Sequence, residues 1–371
     1  MSWPGTTFLR VVLRDALGSE RRTRAPQEHL EAAVRWLERA HDAGADGGVS
    51  YGYSLRGGWR PPYIETSGYI LVTFLDLARL GRWTGLEQRA RAIADWLCSV
   101  QNPDGSFSNP RFSGRQGIVF DTGQDLLGLV RIHERTGEAR YLEAARRAAA
   151  WLVRVADGEG RWTRNTFNGI PHVYNSRVAW ALLELDRLHR LPDLEQVARV
   201  NLDWAIAQQR GGFFEQCAFK AGVPPYTHTI AYAIRGLQES GRLLGDEAYS
   251  AAAVRASDAV RQKLRDDGFL PGRIEVTGAA AARYCCLTGN CQMAVIWAQE
   301  ARQRGCRFSR EAAVRALGYV LRHQDIAGRN PDVHGAIKGS QPVWGGYAPL
   351  CYPAWATKFF IDAMLRCEEW L

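Results

Sequence analysis

The chain has 371 residues, 46% of them hydrophobic, and a net charge of +8. That composition is ordinary for a globular protein with a large core and excludes a disordered or low-complexity chain. The charge is mostly arginine spread along the sequence, densest over residues 10–24, with no nucleic-acid motif beside it; a solvated surface or a basic cleft for an anionic ligand is expected, not nucleic-acid binding.

After a basic extension over 1–27, the sequence repeats about every 55 residues, six times. The first unit places an amphipathic helix at 28–40 and a more apolar one at 65–80. The second has 87–100 and 122–136, the third 141–153 and 175–190, the fourth 194–208 and 229–244. The fifth follows at 249–264 with 287–304, the sixth at 310–323 with 354–368. Trp36, Trp96, Trp151, Trp204, Ala259 and Tyr319 hold equivalent places near the ends of the first helices. Turn glycines follow most of them: Gly105, Gly160, Gly212, Gly268 and Gly328.

Apolar residues at three- and four-residue spacing with charges between them mark helices with one wet face, whereas helices apolar nearly all round must be buried. Six outer–inner pairs bury every inner face by closing on themselves. The expected fold is therefore all-α, an (α/α)6 toroid in a single domain over 28–371, with an open solenoid of helical pairs as the rival. No apolar run reaches membrane-spanning length. Residues 9–13 are too short and interrupted for a signal-peptide core. The eight cysteines, with Cys285 and Cys286 adjacent, are expected as reduced thiols in the cytoplasm.

Connections into the inner helices are long and rich in Gly and aromatics, while the returns are short turns such as Thr136-Gly137-Glu138. Long loops carry function more often than short ones, so the working mouth is expected where inner helices begin. Those starts are polar: Tyr63 to Ser67, Phe120 to Asp125, His172 to Arg177, Tyr226 to Thr229, Arg283 to Asn290 and Tyr352 to Lys358. Asp121, Thr66 and Thr227 can act as helix caps, but capping does not explain Tyr, His, Arg and Lys recurring at that level.

Glu65 and Asp121 precede long apolar helices in successive units, as a pair of carboxylates facing a sugar would. Glu215 is a third acid at that level and Glu275 a weaker fourth. His228 and Tyr174 are candidates for moving protons, and arginine grips a carboxylate bidentately. The substrate-binding set is Tyr174, Asn175, Arg177, Arg283, Tyr284, Asn290, Lys338, Trp344, Tyr347, Trp355, Lys358 and Trp162. Tyr51, Trp59, Phe107 and Phe213 are further rings that either stack on sugars or pack between repeats. No metal is expected; zinc held by Cys285, Cys286, Cys291 and His228 is a minor possibility, since no CxxC or HExxH spacing occurs.

The segments Phe120-Asp121-Thr122-Gly123-Gln124, His172 through Trp180 and Thr227-His228-Thr229-Ile230-Ala231-Tyr232 resemble bacterial squalene-cyclase-like toroid proteins of polysaccharide-biosynthesis gene clusters. So do Cys286 through Asn290, Trp344-Gly345-Gly346-Tyr347 and Trp355 through Phe360. More distantly, the layout is similar to six-hairpin glycosidases, including unsaturated glucuronyl hydrolases, and to N-acylglucosamine-epimerase-like toroids. The Asp121 segment is similar to the hydrolases' Asp at an inner-helix start. The DxDD signature of terpene cyclases is absent, which argues against protonation-initiated cyclisation, and the adjacent Cys-His pair of zinc-binding lanthionine cyclases is absent too.

The resulting expectation is a carbohydrate-active enzyme acting on an acidic glycan or glycoconjugate. Asp121 and Glu65 serve as acid and base, with Glu215 and His228 beside them. The alternatives are a uronate lyase or epimerase, a terpene-cyclase-like or zinc-dependent cyclase or transferase of a natural product, and a non-catalytic glycan-binding component of polysaccharide assembly.

Overall fold

A computed structural model describes residues 4–18, 23–109, 113–159 and 161–371. Gly160, one of the periodic glycines, and Arg21 and Arg22 of the basic run lie outside the described residues. Helix α1 (Pro4–Ala16) precedes the repeats. Six outer helices follow: α2 (Pro26–Asp42), α4 (Leu86–Val100), α6 (Ala139–Val155), α8 (Leu194–Ala207), α10 (Glu247–Arg261) and α12 (Arg307–His323). They alternate with the inner helices α3 (Ile64–Arg79), α5 (Val119–Thr136), α7 (Ser176–Leu188), α9 (Thr227–Leu244), α11 (Leu287–Arg304) and α13 (Ala354–Cys367).

The two rings separate by burial as their patterns dictate. In α5 every residue from 119 to 130 is buried, and in α11 every residue from 287 to 300. The outer α6 buries only a stripe that includes Tyr141, Ala145, Ala148 and Leu152. Each inner helix packs on the next, and α13 packs on both α3 and α2, so the ring closes as an (α/α)6 toroid. A short strand, Gly52–Ser54, pairs antiparallel with Gly58–Trp59 and with Cys351–Pro353, joining the first unit to the last. No described helix is long and apolar enough to cross a membrane.

The periodic glycines have a common physical cause. Gly105, Gly212 and Gly268 each adopt a positive φ while their backbone lies against the outer helix of the following unit. A Cβ on Gly105 would fall 2.3 Å from Arg147 O, on Gly212 2.6 Å from the Ala259 Cβ, and on Gly268 2.2 Å from Arg315 O. In the last unit the equivalent residue is Gly335, whose Cβ would meet Ala32 O at 2.1 Å. Gly328, seven residues earlier, was the expected turn glycine, but its φ is not positive and it faces Arg10 and Asp325 instead. The longer loop of the last unit displaces the motif.

Helix α1 is fastened to that last unit. Lys338 Nζ donates to both carboxylate oxygens of Asp15, at 2.7 and 2.6 Å, and to Gln341 Oε1, while Val343 N donates to Asp15 Oδ2 at 2.8 Å. Arg10 and Arg14 pair with the buried Asp325. Part of the basic run thus holds the N-terminal helix in place.

Candidate active site at the mouth of the ring

Hydroxyls in the first turn of three inner helices pin the long loops. Val49 N donates to Ser67 Oγ at 3.0 Å, Phe107 N to Thr122 Oγ1 at 3.0 Å and Ile337 N to Thr357 Oγ1 at 3.0 Å. Ser67 Oγ also donates to Tyr63 O at 2.8 Å. Loop and helix start are therefore one rigid unit, which fixes the residues flanking these hydroxyls. The capping expectation for Asp121, Thr66 and Thr227 is corrected: α3, α5 and α9 have no side-chain cap. Thr227 Oγ1 instead donates to Pro271 O, and Asp121 is left for other work.

At this end a cavity of about 160 Å³ opens on the ring axis. Glu65 and Asp121 both line it, with His228, Asn109 and a wall of rings that includes Tyr51, Tyr63, Tyr174, Tyr347 and Trp355. The rings brace one another: Tyr51 meets Trp355 edge-on at 4.6 Å, Phe120 meets Tyr174 edge-on at 5.1 Å, and Trp355 Nε1 donates to Tyr347 Oη at 2.7 Å. Such a wall is large, stiff and apolar on its faces, as sugar stacking requires.

The helix N-termini would favour ionised carboxylates, but burial outweighs them. Burial raises Glu65 to about 7, partly offset by the hydrogen bond that Tyr63 Oη donates to Glu65 Oε2 at 2.9 Å and by the Arg177 charge. Asp121 is only 4% exposed, and burial followed by the Glu65 charge raises it well above the carboxylate range; Asn109 Nδ2, at 3.4 Å, is a weak counterweight. Burial pushes both acids upward, and the charge of Glu65 adds to the push on Asp121, so the pair favours keeping a proton between them. Asp125, one turn below Asp121, is fully buried and also pushed well up, by burial and then by Asp121. His228 is lowered to about 3 by burial and by Arg273, and stays neutral with Tyr347 at 4.4 Å.

Seven of the residues expected in or around the site from sequence meet at this cavity: Glu65, Asp121, Tyr174, His228, Tyr347, Trp355 and the flanking Tyr51. The others do not line it. Glu215 is exposed and pairs with Arg210 at 3.4 Å, and Glu275 and Arg283 are also exposed. Trp344 is 45% exposed outside the cavity, and Asn175 is buried beside it. Lys338 is consumed by Asp15. Trp162 Nε1 donates to Leu152 O at 3.0 Å, and Asn290 Nδ2 donates to Gly268 O at 2.8 Å, so both hold backbone. Tyr284 lies against Gly345 and Gly346 and accepts from Arg273 Nε at 3.3 Å. Phe107 and Phe213 are core, and Trp59 Nε1 donates to Asp332. Arg177 and Lys358 sit beneath the cavity floor, facing the other end of the axis.

Sequence reasoning left Tyr69 and Tyr232 out of the site, yet both line the cavity. The signal was there: they stand four residues after Glu65 and His228, one helical turn deeper on the same face. Tyr63, Asn109 and Phe219 also line it, placed by loops whose course no periodicity encodes. Among the described residues no three of His, Cys, Asp and Glu are arranged to hold a metal ion. Burial raises Cys286 to about 12 and also raises Cys285 and Cys291.

No protein-family model and no curated protein matches the chain. Solved structures match over nearly its whole length. One is an unsaturated glucuronyl hydrolase specific for heparin, at 15% identity and TM-score 0.73, covering 93% of this chain and 97% of that one. A second is an unsaturated glucuronyl hydrolase responsible for glycosaminoglycan degradation, from Bacillus sp. GL1, at 17% identity and TM-score 0.70, covering 92% and 97%. A third is the cellobiose 2-epimerase of Bacillus thermoamylovorans B4167, at 13% identity and TM-score 0.68, covering 97% and 100%. At these identities the likeness establishes the toroid fold.

Proposed function

We propose that this chain is a carbohydrate-active enzyme that hydrolyses a glycosidic bond at the mouth cavity. The observation that carries the reading is the pair Glu65 and Asp121, two buried carboxylates lining one aromatic-walled cavity, both pushed upward by burial. Asp121 gives its proton to the glycosidic oxygen as the bond to the sugar carbon breaks. Glu65 takes a proton from the water that attacks that carbon. Tyr63 holds Glu65 by the bond to Oε2, and Trp355 and Tyr51 stack on the ring.

Among the described residues no Lys or Arg lines the cavity. An acidic sugar therefore needs a cation at the rim. Arg273 fits: its guanidinium lies 3.7 Å over Tyr226 and its Nη1 donates to Pro224 O at 2.6 Å, close enough to His228 to lower it. The glycosaminoglycan-acting neighbours and the polysaccharide-cluster resemblance support an acidic glycan or glycoconjugate as substrate. Eight free thiols support a reducing, cytoplasmic setting.

The test is incubation with disaccharides bearing an unsaturated uronyl residue, following loss of the absorbance of the conjugated double bond. Wild type should turn over, Asp121→Asn should lose about 100-fold or more in kcat while still binding, and Arg273→Gln should raise KM for acidic but not neutral substrates. Unchanged turnover in Asp121→Asn would sink the assignment. Epimerisation is the second reading. It is favoured by neutral His228 lining the same cavity as Glu65, and it predicts an isomer of unchanged mass instead of two products.

A further inference from the structure

A second cavity, larger than the one at the mouth, lies at the other end of the ring axis, where the inner helices finish. It has a volume of about 680 Å³ and receives side chains from all six inner helices. Tyr69 and Tyr232 line both cavities, so they partition the axis into two chambers. The lining of the lower chamber carries eight Arg or Lys against five Asp or Glu. Helix C-termini attract cations, which accounts for rim arginines such as Arg79 and Arg366. It does not account for the floor.

Arg177 comes from the first turn of α7, not from a C-terminus, and is 5% exposed. Its Nε donates to Gln124 Oε1, and its guanidinium carbon lies 5.1 Å from the Trp180 ring centre and 5.2 Å from that of Tyr232. No described carboxylate forms an ion pair with it. Beside it on the chamber wall, Gln292 is 5% exposed; neither its Oε1 nor its Nε2 completes a hydrogen bond of good geometry, although the Tyr232 hydroxyl is near enough to interact with it. Lys358, also 5% exposed, pairs with Asp362, its one carboxylate partner among the described residues, and its ammonium lies 4.3 Å from the Phe359 ring centre. A buried cation with no carboxylate in ion-pair contact, and an amide that completes no well-formed hydrogen bond, are each costly. One occupant answers both: a negatively charged oxygen group for Arg177 and Lys358, and a hydrogen-bonding partner for Gln292.

We propose that the lower chamber is a second binding site, separate from the mouth, for a small oxyanion, either a phosphate or a carboxylate group. Arg177 and Lys358 hold its charge and Gln292 its neutral edge. The ligand lies against Trp180 and Tyr232. Because the Arg177 charge also favours ionised Glu65, an oxyanion placed there acts on the mouth through the partition.

Inorganic phosphate and malonate, each titrated into the full chain at constant ionic strength against chloride, test this by calorimetry and by thermal shift. Saturable binding of either supports the site and identifies the oxyanion source. Gln292→Leu, similar in volume and well suited to a buried wall, should weaken that binding at least 10-fold, as should Arg177→Gln. Trp355→Ala, in the mouth, should leave it intact. The proposal is overturned by the absence of saturable binding, by binding that survives Gln292→Leu and Arg177→Gln, or by binding lost with Trp355→Ala. None of these readouts depends on turnover.

Discussion

Removing one oxygen atom tests the division of labour between the two acids. In Tyr63→Phe the ring keeps its place against Tyr51, at 5.3 Å, and Trp355, at 5.8 Å. Only the hydroxyl that donates to Glu65 Oε2 at 2.9 Å is lost. A hydrogen bond to a charged group contributes about 1.5–3 kcal/mol, and one pH unit of displacement corresponds to about 1.4 kcal/mol. The bond favours the ionised carboxylate, so its loss moves Glu65 upward from about 7 by roughly one to two pH units. If Glu65 must be ionised to act, the acid limb of kcat/KM moves up by the same amount. At pH 7 activity falls by about 5- to 50-fold, and the alkaline plateau recovers. The assay is kcat/KM against pH for a saccharide that wild type cleaves, with the Glu65 carboxylate followed separately by isotope-edited NMR. An acid limb that stays put, or moves to lower pH, would refute the assignment of Glu65 as the base.

Three further outcomes follow from the geometry. Burial holds Glu65 near 7 instead of 4.5; below pH 4.5 both states are protonated, and stability falls as pH rises towards 7 because the unfolded chain ionises first. Glu65→Gln should therefore raise the melting temperature at pH 8, by the equivalent of up to about 3 kcal/mol, and change it little at pH 4.5; an equal gain at both pH values would contradict the linkage. Lys338→Met leaves the buried Asp15 carboxylate with a long contact to Arg14 Nε at 3.5 Å and the bond from Val343 N, and should cost about 3 kcal/mol in chemical denaturation, and adding Asp15→Leu should recover much of it. Gly68→Ala would bring a methyl group to 2.5 Å from Asp125 Oδ1 and 2.6 Å from its Cα, so at the α3–α5 crossing it should destabilise by about 1–3 kcal/mol or more; a neutral effect on urea midpoint would show that the crossing yields.

The ring was legible because one pattern is written six times: amphipathic α6 and all-round apolar α5 or α11 announce their layers in composition alone. The turn glycines were legible for the same reason, until the longer loop of the last unit put Gly335 where Gly328 was expected. Within the site, Glu65, Asp121 and His228 were found because they occupy helix starts. Helix position does not say which way a long side chain reaches. Arg177 bends beneath the floor to Gln124, Lys358 runs to Asp362, and Lys338 turns back to Asp15. Each of those endpoints depends on a partner distant in sequence or one turn away, information that local pattern does not hold. Asn290 and Trp162 show the converse: polar groups at the expected level that are spent on backbone carbonyls.

The closure of the toroid has a temporal meaning. Tyr51 and Trp355 touch in the mouth, Gly335 rests on Ala32, and the strand Gly52–Ser54 takes Cys351–Pro353 as its neighbour. On a ribosome, the first five hairpins emerge with α3 still missing one flank, its apolar surface open to chaperones or to other nascent chains. No fragment ending before α13 contains a finished mouth. Sequence separation of this kind slows folding because a long loop must close before its contacts form. The mouth cavity should therefore form in one late step, with the docking of the sixth hairpin.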